Sequence, residues 1–84
     1  VTTEPAPRLR LMTRAGCHLC EVAAETLDRI AAEAGARVEA VDVDTDPDLQ
    51  AEYGDRVPVV VLDGREHSYF TVDVPRLRQD LGIG

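Results

Sequence analysis

From Cys20 to Ala34 the apolar residues Cys20, Ala23, Ala24, Leu27, Ile30, Ala31 and Ala34 recur at i, i+3, i+4, i+7, i+10, i+11 and i+14. A strand alternates every second residue, so this spacing excludes one and predicts an amphipathic helix with a single buried face. Glu21, Glu25, Asp28, Arg29 and Glu33 fall on the opposite face. Glu21 and Glu25 lie near the start, where the helix dipole favours negative charge. Gly35 supplies a stop. The two cysteines of the chain, Cys17 and Cys20, stand at the head of this helix in Thr13–Arg14–Ala15–Gly16–Cys17–His18–Leu19–Cys20. Residues i and i+3 share a helix face, so the two thiols can meet. A pair of this kind serves as a staple, as half of a metal site or as a reversible redox couple.

Elements on either side build a frame for that helix. Arg8 to Thr13 alternates Leu with Arg and reads as a strand, and Arg37 to Val43, rich in β-branched residues, reads as another. Strand, helix and strand make a βαβ unit, expected to be parallel. Asp46 and Pro47 are a cap and first residue for a short second helix that stops at Gly54. Val57 to Leu62 is a continuous apolar run, expected for a strand buried on both faces. Asp63–Gly64 signals a tight hairpin into Arg65 to Phe70. Asp73 caps a last helix with Val74, Leu77 and Leu81 inward and Gly82 as its stop. The predicted order is β-α-β-α-β-β-α, one α/β domain over residues 8–84 preceded by a flexible arm, residues 1–7.

With 84 residues, one small domain is the limit. The only aromatic residues are Tyr53, Tyr69 and Phe70, so the core must be aliphatic. The formal net charge is −7 and there is no lysine. Schiff-base catalysis is thereby excluded, and an acidic surface makes nucleic acid an improbable partner. No run approaches the length of a membrane span, and no charged–apolar–small pattern opens the chain. A cytoplasmic monomer is the expectation, and in that compartment C-x-x-C reads as redox or metal chemistry.

The element order, the C-x-x-C at the first helix and Val57–Pro58 heading the third strand resemble the thioredoxin fold in its short, glutaredoxin-type form. The resemblance extends from Leu9 to Leu81, through Thr13-Arg14-x-Gly16-Cys17-x-x-Cys20, Asp42-x-Asp44, Val57–Pro58 and the Asp63–Gly64 hairpin, and is strongest to small bacterial glutaredoxin-like proteins. It implies a four-stranded mixed sheet flanked by helices. It further implies that Cys17 attacks disulfides, that Cys20 resolves the mixed disulfide, and that the Val57–Pro58 bond is cis and abuts the cysteines. The substrates implied are disulfide-containing proteins or glutathione mixed disulfides, with glutathione or a reductase restoring the thiols and no resident cofactor. Three departures stand out: His18–Leu19 replaces Pro-Tyr between the cysteines, Arg56 stands where Thr is usual, and no Gly-Gly pair occurs near Ser68–Tyr69. These lead us to expect weak glutathione binding.

Physical chemistry gives the pair unequal tasks. The thiolate is the nucleophile, and an ordinary thiol with a pKa of about 8.5 is only a few per cent ionised at neutral pH. A helix N-terminus offers unpaired N–H groups and contributes up to about 2 kcal/mol to an anion placed on it. Cys17 should feel this; Cys20, one turn deeper, should be buried and protonated. The ring between them is too short for an effective staple. Further candidates for substrate contact are Arg14, His18 and Arg56, together with the Val57 backbone, which can pair with an extended segment. His67 is expected at the surface. The Asp42, Asp44, Asp46, Asp48 cluster lacks the Gly and closing Glu of a calcium loop, although Asp42 or Asp44 could tune the site. The rival reading is a metal module: a Cu(I) carrier, or a glutathione-ligated iron–sulfur cluster between two copies. Against the carrier, Met12 lies five residues before Cys17 rather than two, and the last element is a helix.

Overall fold

The structure, a computed structural model, describes residues 8–83; the arm expected over residues 1–7 lies outside them. Strands β1 (Leu9–Thr13), β2 (Val38–Asp42), β3 (Val59–Leu62) and β4 (Arg65–Tyr69) alternate with helices α1 (His18–Ala34), α2 (Pro47–Tyr53) and α3 (Val74–Asp80) in the predicted β-α-β-α-β-β-α order. A single 3-10 turn, Val43–Thr45, separates β2 from α2. The sheet runs β2-β1-β3-β4, with β1 parallel to β2 and antiparallel to β3, and β3 antiparallel to β4.

The central position of β1 and β3 explains their composition. Leu9 and Leu11 of β1 and Val60 of β3 point to one face, where they pack against Ala23, Leu27, Ile30 and Ala31 of α1 and Leu77 of α3. Met12, Val59 and Val61 point to the other face and meet Val43, Leu49, Tyr53 and Val57 around α2. A strand covered on both faces has no use for alternation, hence the uninterrupted valines of β3. The helix register is as the periodicity requires: Cys20, Ala23, Leu27, Ile30 and Ala31 are buried on α1. At its end Gly35 adopts a left-handed φ of 66° and donates back to the last carbonyls. In the hairpin both Asp63 (φ 51°) and Gly64 (φ 83°) are left-handed, as a two-residue turn between antiparallel strands demands.

Two expectations need correction. The third strand starts at Val59, so Val57–Pro58 is a link ahead of the ladder, with its peptide bond cis. The imidazole of His67 is not at the surface: it is 6% exposed and its Nε2 lies 2.8 Å from the Asp80 carboxylate of α3. The cause is a β-bulge. Val60 pairs with Ser68 and Val61 with Glu66, leaving His67 as the extra residue. A bulge re-aims its side chain, and here it turns His67 under α3, where the Arg76 guanidinium also donates to the His67 carbonyl.

Candidate active site

β1 ends at Thr13, and Arg14 to Gly16 turn the chain so that Cys17 becomes the N-cap of α1. Gly16 takes a φ of 75°, which an L side chain resists. Cys17 is extended (φ −96°, ψ 108°), and its Sγ accepts the backbone N–H of Cys20 at 3.1 Å. Sulfur here takes the part that Ser or Asp oxygen plays at most helix starts, satisfying one of the orphan donors. Cys17 and Cys20 lie at disulfide distance, with Cα atoms 5.2 Å apart. Cys17 is half-buried, while Cys20 is 3% exposed and belongs to the α1 face that meets the sheet. One sulfur therefore sits at the helix tip, half open to solvent, and the other behind it.

A cleft of about 340 Å³ beside the pair is lined by Thr13, Arg14, Gly16, Glu21, Ala24 and Asp42. Because β1 and β3 are antiparallel with Met12 opposite Val59, the residues preceding Val59 lie at the sheet end where β1 hands over to α1. Val57 and Pro58 thus share that end with Cys17. Pro58 is buried, and its carbonyl accepts the Phe70 N–H at 2.8 Å.

The charged candidates are differently engaged. Arg14 grips Asp44, with Nε 3.1 Å and 3.2 Å from the two carboxylate oxygens and Nη2 3.0 Å from one of them, and Nη1 reaches the Gly54 carbonyl at 3.4 Å. A Cβ on Gly54 would stand 3.3 Å from Arg14 Nη2 and 2.5 Å from the Gln50 carbonyl oxygen, so this corner is closely fitted. Arg56 donates to Glu66 at 2.9 Å and lies 5.9 Å over the Tyr53 ring. Each guanidinium near the site already has a carboxylate. His18 is exposed, its Nδ1 3.6 Å from Glu21 one turn on. Asp44 is the residue whose part was least visible in the sequence: it connects the β1–α1 turn to the start of α2 and also accepts from Gln50 Nε2 at 2.9 Å.

Hydrogen bonds from Arg14 and then from Gln50 hold the Asp44 carboxyl below the ordinary carboxylate range, against a smaller opposing effect of burial. The sign of the linkage follows. The folded state binds the proton less tightly than the unfolded chain, so the contribution of Asp44 is complete above the unfolded pKa, about 3.9, and is lost as pH falls through the lower folded value. Arg14 stays protonated throughout, being raised by the same hydrogen bond. Urea melts of the wild type and Asp44→Asn should therefore differ at pH 6 and converge on acidification below about pH 4. A gap that persists unchanged into acid would show that the carboxylate charge is not what ties the corner.

Among the described residues, no group of three or more His, Cys, Asp and Glu side chains is arranged to hold a metal ion, and no helix is long and apolar enough to cross a membrane.

The order of strands and helices, with a cysteine pair at disulfide distance at the start of the first helix, is that of a thioredoxin-like fold. The chain belongs to the glutaredoxin-like domain family (DUF836), whose model matches residues 8–82. An uncharacterized protein of Mycobacterium tuberculosis is 50% identical over 80 residues, which cover 89% of this chain and 82% of that protein. The solution NMR structure of protein Ne2328 from Nitrosomonas europaea superposes with a TM-score of 0.78 at 27% identity, covering 98% of this chain and all of that one. An X-ray structure of protein XcR50 from X. campestris gives a TM-score of 0.62 at 37% identity, covering 90% of this chain and 97% of its own. Family, fold and cysteine geometry together support thiol–disulfide redox function.

Proposed function

We propose that this chain is a dithiol–disulfide oxidoreductase that reduces disulfides through Cys17 and Cys20. The carrying observation is the placement of Cys17 Sγ at the N-cap of α1, accepting the Cys20 N–H at 3.1 Å. When the pair is reduced, that N–H and the helix dipole stabilise a thiolate on Cys17. The Cys17 thiolate attacks one sulfur of a substrate disulfide. A Cys17–substrate disulfide forms, and the other substrate sulfur leaves as a thiolate that takes up a proton. Cys20 then loses its proton and attacks the Cys17 sulfur, releasing the second substrate thiol. The substrate has gained two electrons and two protons, and the protein is left with the Cys17–Cys20 disulfide.

Val57 supports docking in this reading. It lies ahead of the β3 ladder, at the sheet end that carries Cys17, so its backbone groups can pair with an extended substrate segment. Reduced glutathione or a reductase returns the electrons in a reducing compartment.

Equilibration in buffers of reduced and oxidised glutathione, followed by acid quenching and thiol mass tagging, tests the proposal. Cys17 and Cys20 should gain or lose their tags together, along one reversible two-electron curve. Stoichiometric capture of Cu(I) by a pair that exchanges no disulfide would overturn it in favour of a metal carrier.

A further inference from the structure

The redox chemistry leaves unused a set of apolar side chains that the fold places beside the disulfide at the surface. Among the described residues, the exposed large hydrophobic side chains are Leu19 at 49%, Val22 at 47%, Tyr69 at 51% and Phe70 at 46%. Three of them converge. Leu19, Val22, Ala23 and Thr26 on one flank of α1 and Phe70, Thr71, Val72 and Val74 on the segment entering α3 line a groove of about 160 Å³. An apolar space of about 150 Å³ is large enough to accept a benzene-sized group.

The far wall of this groove is set by an uncommon backbone. Phe70 holds a φ of 66°, a region a bulky L residue avoids. Such a conformation persists only where its surroundings over-determine it. Here the Phe70 N–H donates to the Pro58 carbonyl at 2.8 Å, and the Tyr69 ring packs edge-on at 5.1 Å. The ring that could have turned inward is thereby presented outward, and its position is tied to the Val57–Pro58 link.

We propose that this groove selects the substrate, receiving an apolar side chain that neighbours the reacting cysteine of a protein disulfide. This rests on the redox reading above. Leu19, which lies between the two cysteines in the chain and is exposed, forms one wall of the groove, so the groove begins at the residue between the reacting sulfurs. The electrostatics decide among occupants. The chain carries −7, Arg14 is neutralised by Asp44 and Arg56 by Glu66, and the cleft on the other side of Cys17 presents Glu21 and Asp42. The guanidiniums of Arg14 and Arg56 are thus already held by carboxylates when an anionic tripeptide such as glutathione approaches, and a second copy of the chain brings its own −7. A neutral or basic protein segment with a Leu-, Met- or Phe-sized neighbour to its cysteine meets neither obstacle.

The test oxidises fully reduced protein, in single turnovers, with capped, uncharged pentapeptide disulfides. These differ only in whether Leu or Ser follows the cysteine. Oxidised glutathione and hydroxyethyl disulfide serve as references. The Leu peptide should react about tenfold faster than the Ser peptide, as partial burial of one aliphatic side chain implies, and faster than oxidised glutathione. In Val22→Ser the ratio should fall to about twofold or less, since the groove loses one wall. In Ala32→Ser, exposed on α1 and outside the groove lining, it should be retained. The ratio is internal to each protein, so loss of active material in a variant cancels. A wild-type ratio near one, a ratio that survives Val22→Ser, or oxidised glutathione outpacing the Leu peptide each overturns the proposal. So does a concentration-dependent dimer that Val22→Asp dissolves, which would give the groove to a second copy. If even hydroxyethyl disulfide fails to oxidise the protein, the redox reading itself falls. If that reagent reacts and the neighbour makes no difference, only the substrate assignment falls.

Discussion

Cys17→Ser should reduce disulfide exchange at least about a thousandfold, because the reaction then lacks its nucleophile and a serine hydroxyl is no substitute near neutral pH. Cys20→Ser should behave differently. It keeps the helix-tip sulfur, attacks substrate once, and stops as a mixed disulfide that only an external thiol can resolve. The asymmetry is what the geometry demands. Cys17 is half-buried at the N-cap and Cys20 is 3% exposed beneath it, so a substrate sulfur reaches one and not the other. Mass spectrometry of each variant after exposure to a peptide disulfide gives the reading: a covalent adduct on Cys20→Ser, none on Cys17→Ser. Equal adducts on both would mean that the two sulfurs are equally accessible and that the attacker–resolver assignment is wrong.

The α1 register, the Gly35 stop, the Asp46 and Asp73 caps and the Asp63–Gly64 hairpin were all legible, because each depends on a few neighbouring residues and a local rule. The position of Cys17 at the helix tip was legible for the same reason. Contacts between distant segments were not. Arg14 and Asp44 are thirty residues apart in the chain, and no local pattern announces that they meet. Arg14 and Arg56 stand out as candidates for substrate contact, but that the fold gives each a carboxylate partner is invisible to any local pattern. His67 was misplaced because a β-bulge is a mismatch between two strands and cannot be read from one. The groove at Leu19, Val22 and Phe70 was hidden for a related reason. Leu19 and Val22 fall on the flank of α1 that the periodicity assigns to solvent, and nothing local shows that Phe70 stands opposite.

Leu27→Ala should remove about 2–5 kcal/mol of stability, the largest conformational effect expected from a single change here. Leu27 is fully buried and lies in the cluster that joins α1 to Leu9 and Leu11 of β1, Val60 of β3 and Leu77 of α3. No aromatic side chain belongs to that cluster, so aliphatic contacts alone seat the helix on the sheet. A domain of 84 residues has about 4–13 kcal/mol in total at 0.05–0.15 kcal/mol per residue. The substitution therefore consumes a large part of the reserve, and in urea its midpoint should drop sharply with the slope nearly unchanged. Function should follow structure rather than chemistry. On the proposed mechanism Cys17 would owe its thiolate character to the folded α1, because the N–H groups and dipole at its tip belong to the helix. Under conditions where the variant is half unfolded, thiol alkylation should resolve two populations, one reacting at the pace of an ordinary cysteine and one at the pace of the native site. A single population with native thiol acidity throughout the transition would show that the acidity does not come from the helix.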